Sequence, residues 1–121
     1  MIEERIEFVN KYGLKLSGII NVKNVTREIV VISHASGSYK NSRVTYSLSN
    51  YLSDKNINNF RFDYTSCGDS EGSYLDVTIS KFVEDLECVL NLLSSKGFTK
   101  FILFGYSLGA RISTQIDVKK I

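Results

Sequence analysis

Gly105-Tyr106-Ser107-Leu108-Gly109 sets a serine between two glycines in the pattern Gly-x-Ser-x-Gly. A free serine hydroxyl is a weak nucleophile and becomes useful when it is held beside a base and fixed hydrogen-bond donors. The pattern supplies the holding when a strand runs into it and a helix leaves it. The sharp turn lifts the hydroxyl above the sheet, and the glycines leave room where side chains would strike the neighbouring strand and helix. Both flanks fit, because the apolar run Phe101-Ile102-Leu103-Phe104 precedes the turn and a helix-like stretch over 108–116 follows it. The chemistry implied is attack of the Ser107 hydroxyl on an acyl carbonyl.

Other residues capable of chemistry are few. His34 is the single histidine, and a role as base competes with a role in supporting its own loop. Asp63 closes a strand and is expected to order the loop after it by accepting backbone hydrogen bonds. Asp69 and Glu71 read as a solvated loop, since no second cluster of oxygen ligands accompanies them to build a metal site. Cys67 and Cys88 are too few, and too ordinarily spaced, for a disulfide framework or zinc site, and read as reduced thiols. The chain contains neither Gly-x-Gly-x-x-Gly nor a Walker-type sequence, so no nucleotide cofactor is expected, and no metal.

The elements that must position these residues alternate along the chain. The segments 7–9 and 14–16 flank a turn over 10–13, which reads as an antiparallel hairpin. Glu28-Ile29-Val30-Val31-Ile32-Ser33 is a continuous β-branched run, as expected of a strand buried on both faces. A helix is expected over 42–55 with Val44, Leu48, Tyr51 and Leu52 on one face, followed by a strand over 57–63. The clearest helix is 78–96, where Ile79, Phe82, Val83, Leu86, Val89, Leu90 and Leu93 recur at helical spacing and Gly97 stands at the C-terminus. The order β-β-β-α-β-α-β-α implies an α/β fold. Its sheet should be mostly parallel, with an antiparallel N-terminal hairpin at one edge and helices on both faces.

Three blocks at successive strand ends give the pattern a family resemblance. They are His34-Ala35-Ser36-Gly37-Ser38, then Arg61-Phe62-Asp63-Tyr64 running into Gly68-Asp69-Ser70-Glu71-Gly72, and the Gly105–Gly109 turn. Together the chain resembles the N-terminal half of an α/β-hydrolase, in the bacterial esterase-like branch related to cinnamoyl and feruloyl esterases. It departs at Ala35, where that family usually has glycine, and at Thr65-Ser66-Cys67, which replaces Arg-Gly-aromatic or Arg-Gly-His. The resemblance implies that Ser107 is the nucleophile and that the backbone N–H groups of Ser36 and Leu108 form the oxyanion hole. It further implies that His34 supports the oxyanion loop, that the substrate is a small-molecule carboxylic ester, and that no cofactor is needed.

The resemblance also implies a partial domain over 1–121. Enzymes of this kind commonly need about 200–250 residues, and their triad runs Ser, then Asp or Glu, then His. No histidine follows Ser107. Asp117, were the last helix to continue, would sit about 15 Å along its axis from the serine. The expectation is therefore a chain truncated after the elbow and its helix. The alternative to an ester hydrolase is a non-catalytic hydrolase fragment or interaction module lacking the triad acid and base. Self-association through the exposed edge of the elbow strand is also expected.

Composition bounds the rest. The 121 residues are 43% hydrophobic and 23% charged, with a formal net charge of +2 and scattered basic residues, of which only Lys119-Lys120 are adjacent. This argues against nucleic-acid or anionic-membrane partners. The charged N-terminus, with no apolar run behind it, makes the cytoplasm the expected location.

Overall fold

The computed structural model describes residues 2–117 and 121, so Lys119-Lys120 lie outside the described residues. Strands β1 (Ile2–Val9) and β2 (Lys15–Val22) form the antiparallel hairpin. The Asn10 carboxamide oxygen closes its turn by accepting the backbone N–H groups of Tyr12 and Leu14, at 2.9 and 3.0 Å, while Gly13 takes a positive φ of 79°. β2 pairs antiparallel with β4 (Asn59–Phe62), and β3 (Glu28–Ser33) lies parallel to both β4 and β5 (Lys100–Gly105). The sheet order β1-β2-β4-β3-β5 sets the hairpin at one edge and β5 at the other. β4 is shorter than the expected 57–63. The Ile57 N–H closes the preceding helix onto the Leu52 carbonyl at 2.9 Å, and past Phe62 the Asp63 N–H still reaches the Ser17 carbonyl at 2.9 Å while its carboxylate holds the loops.

Helix α2 (Ile79–Ser95) starts at Thr78, whose hydroxyl accepts the Lys81 N–H at 3.2 Å. Beyond its end Gly97 adopts φ +101°, and the Phe98 N–H returns to the Leu93 carbonyl. Its apolar stripe packs on the sheet as the periodicity predicts. Leu86, Val89 and Leu93 join Val31, Phe60 and Phe62 in the core.

Helix α1 (Arg43–Asp54) forms where expected, capped by Ser42, and on the face that carries Val44, Leu48, Tyr51 and Leu52 only Leu48 and Leu52 are partly buried. Val44 and Tyr51 are 52% and 60% exposed, and the buried positions are Thr45 and Ser49. The cause lies in β4. Strand alternation turns Phe60 and Phe62 toward α2 and leaves Asn59 and Arg61 facing α1. Buried polar groups require partners, and Ser49 supplies them: its hydroxyl donates to the Asn59 carboxamide at 2.6 Å and accepts from the Arg61 guanidinium at 2.8 Å.

Candidate active site

β5 delivers the chain to Gly105, and Ser107 sits between β5 and α3 (Leu108–Ser113) with φ 56° and ψ −124°. A positive φ at a serine costs about 1–3 kcal/mol and persists only where the surroundings over-determine it. The two glycines show what does so. A Cβ on Gly105 would lie 2.6 Å from the Ala110 nitrogen, in the first turn of α3. A Cβ on Gly109 would collide with the Ser33 carbonyl and come within 2.8 Å of the His34 carbonyl, at the end of β3. The strand, the helix and the adjacent strand therefore meet at backbone distance. Ser107 is exposed at their junction and makes no side-chain capping bond to α3. α3 ends at Ser113, short of the expected 116, so Asp117 is not on its axis.

Ser36, in the loop that leaves β3, and Leu108, the first residue of α3, line one cavity of about 400 Å³. The structure thus brings the sequence-predicted Ser36 and Leu108 to one place at the mouth of the elbow. His34 lines it as well but is only 2% exposed. Its Nδ1 lies 2.7 Å from the Ala35 carbonyl, to which only an N–H can bond. The proton is therefore on Nδ1, and Nε2 accepts the Tyr64 N–H at 3.2 Å. Burial lowers its pKa, against the raising influence of the Ala35 carbonyl. With both nitrogens engaged, the ring has no lone pair for a serine proton.

The loop carrying Ser36 is pinned at further points that sequence reasoning missed. Lys40, 1% exposed, donates from its backbone N–H and from Nζ to the two oxygens of the buried Asp63 carboxylate, each at 2.6 Å. Asp63 also accepts the Asp69 N–H at 2.9 Å, so one carboxylate ties the loop after β3 to the loop after β4. Gly68 is needed there, since a Cβ would strike that carboxylate. Asp69, expected to be merely solvated, receives Lys40 Nζ at 2.8 Å and Arg5 at 3.5 Å, and the Lys40 hydrogen bond holds its carboxyl below the usual range. No local pattern marks Lys40, a lysine in a polar loop, because its burial arises from contacts with residues far along the chain. Burial alone would raise the phenol of Tyr106, but the influence of the Ser42, Thr45 and Ser38 hydroxyls leaves it below its usual value.

Cys67 is half-buried in the wall of the same cavity, and burial raises its thiol pKa. Among the described residues no three His, Cys, Asp or Glu side chains gather as metal ligands, and no helix is long and apolar enough to cross a membrane.

No family model matches the sequence. The uncharacterized protein YfhR of Escherichia coli is 28% identical over 112 residues, which cover 88% of this chain and 38% of that protein. Among solved structures, the Pyrococcus furiosus esterase Pf2001 superposes with a TM-score of 0.86 at 23% identity, covering 99% of this chain and 48% of that one. An alpha-beta serine hydrolase homologue from Coxiella burnetii gives 0.79 at 23% identity, covering 95% and 57%. The chain thus spans about half the length of these structures and less of the curated relative. The likeness is one of architecture, and the chain has the α/β-hydrolase fold.

Proposed function

We propose that the protein is a serine hydrolase that cleaves a carboxylic ester through an acyl-enzyme on Ser107. The Ser107 oxygen would attack the ester carbonyl, and the backbone N–H groups of Ser36 and Leu108 would receive the developing oxyanion. Expulsion of the alcohol and hydrolysis by water would then return the free serine. The carrying observation is the backbone of Ser107 at φ 56°, held by close packing of β3, β5 and α3. A serine in an ordinary strand-to-helix turn has no need of such strain. The esterase named among the structural neighbours supports the same substrate class.

The base and acid are proposed to come from polypeptide outside residues 2–117, because His34 is the sole histidine and both its nitrogens are occupied. The same observation favours a second reading for this stretch on its own, a non-catalytic partial hydrolase domain. An alkyl phosphonofluoridate separates the two. Covalent labelling at Ser107, lost in Ser107→Ala, is expected of the hydrolase. A folded wild-type protein that takes up no label even with the polypeptide supplying the base and acid present overturns it.

A further inference from the structure

A second cavity, of about 490 Å³, opens between the hairpin turn and α2 and shares no lining residue with the one beside Ser107. The turn contributes Val9, Asn10 and Lys11, and α2 contributes Glu84, Glu87 and Cys88. Spacings of three and four residues set those three on one face of the helix. The charges of this lining do not balance, since two carboxylates meet one ammonium. Lys11 Nζ lies 3.0 Å from Glu84, and the Tyr12 hydroxyl donates to the same carboxylate at 2.9 Å. Glu87 is left over. It is 8% exposed, and among the described residues it receives no hydrogen bond and no ion pair. Neighbouring donors are spent elsewhere. The Asn10 amide group donates to Thr65 and to Asp85, at 3.1 Å each, and the Cys88 thiol donates to the Val9 carbonyl at 3.3 Å. Lys81, one turn earlier on α2, donates to the Asp76 carbonyl at 2.8 Å. The Glu87 oxygens are not sealed in protein, as the unpartnered oxygens of Ser17, Asn21 and Ser66 are, and so open into the cavity that Glu87 lines. A carboxylate so far withdrawn from water is costly until a donor of opposite charge reaches it. The net charge of the lining disfavours an anion there. A metal ion would lack ligands, because no three His, Cys, Asp or Glu side chains gather among the described residues. A compact organic cation needs only the one carboxylate and a wall for its carbon chain.

We propose that this cavity binds a primary alkylammonium group, with Glu87 as its counter-ion and Val9 and Cys88 against its carbon chain. Lys11 is the built-in competitor. It lies close enough to feel the charge of Glu87, yet its hydrogen bond goes to Glu84.

The test titrates the intact protein with n-butylammonium and with n-butanol at constant ionic strength, and follows backbone amide chemical shifts by NMR. The two probes share the carbon chain and differ in charge. n-Butylammonium should give saturable shifts at the amides of residues 9–11 and 84–91, and n-butanol should not. Glu87→Gln, nearly isosteric, should weaken n-butylammonium about tenfold or more. Lys11→Met should tighten it about threefold, by removing the competing cation. Should Glu87→Gln not fold, Lys11→Met decides alone, since its side chain is exposed. Equal shifts from n-butanol, no saturable shift at these amides, unchanged affinity in Glu87→Gln, or weaker binding in Lys11→Met overturns the proposal. N-acetyl-lysine methylamide carries the same butylammonium on a peptide unit. Tighter binding of it than of n-butylammonium keeps the site and assigns it to a lysine side chain, and weaker binding keeps it for a free amine. Neither variant touches Ser107, so this site and the hydrolase reading can fail separately.

Discussion

The two faces of the sheet solve opposite problems with the same strands. Toward α2, alternate residues present Val31, Phe60 and Phe62, which pack against Leu86, Val89 and Leu93 in a dry core. Toward α1, the intervening residues present Asn21, Asn59 and Arg61, and α1 answers with Thr45 and Ser49. On this second face the apolar groups Ile102 and Phe104 of β5 stay 46% and 40% exposed. The difference teaches that amphipathicity fixes which stripe of a helix is apolar, whereas the partner surface fixes which stripe is buried. On the α2 face the two criteria coincide. On the α1 face the buried Arg61 and Asn59 need hydrogen bonds more than Val44 and Tyr51 need shelter.

The comparison can be broken by mutation, most sharply on the α2 face. Phe60→Ala should cost about 3–5 kcal/mol in urea unfolding, since a fully buried ring leaves a cavity between sheet and helix. A loss below about 1 kcal/mol would mean that this face is not the densely packed one. Lys40→Met should cost a similar amount, about 3–5 kcal/mol, because it strands the Asp63 carboxylate without its cation. Adding Asp63→Asn to that variant should recover part of the loss, and no recovery would show that the pair is not the source. Ser49→Ala tests the polar face. It removes a donor and an acceptor at once and should cost about 1–3 kcal/mol, whereas Val44→Ala on the same helix should stay within about 0.5 kcal/mol. The reverse ranking would restore the apolar stripe as the buried one.

The smallest effect is one of pH. His34 has its pKa lowered in the fold from 6.5, chiefly by burial, so the unfolded chain binds the proton more readily than the native one. The contribution of His34 is complete above pH 6.5 and is lost as the pH falls through its lowered folded value. The urea midpoint of the wild type should fall between pH 7.5 and pH 5.5, and by less in His34→Gln. An equal fall in both proteins would remove His34 from the account.

Much of the active end was legible because it is written in short spacings. Gly105 and Gly109 around Ser107 declare a turn that no β-carbon could survive, and the structure supplies the Ala110 nitrogen and the Ser33 carbonyl as the atoms they avoid. The hairpin turn and the α2 stripe were legible for the same reason, since Asn10 with Gly13 and the spacing of Leu86, Val89 and Leu93 are local signals. Lys40 was not legible, because its Asp63 partner lies twenty-three positions away.

By itself the sequence determined which segments are strands and helices, their α/β order, and the one place where a serine stands in a strand–turn–helix. Those properties depend on the backbone preferences and periodicity of neighbouring residues. Only the tertiary structure decided that α1 buries hydroxyls, that His34 spends both nitrogens on its own surroundings, and that one carboxylate, Asp63, locks two loops beside the elbow. Each of these is a question of which polar atom meets which in the absence of water. The answer depends on strand pairing that joins residues far apart in the chain.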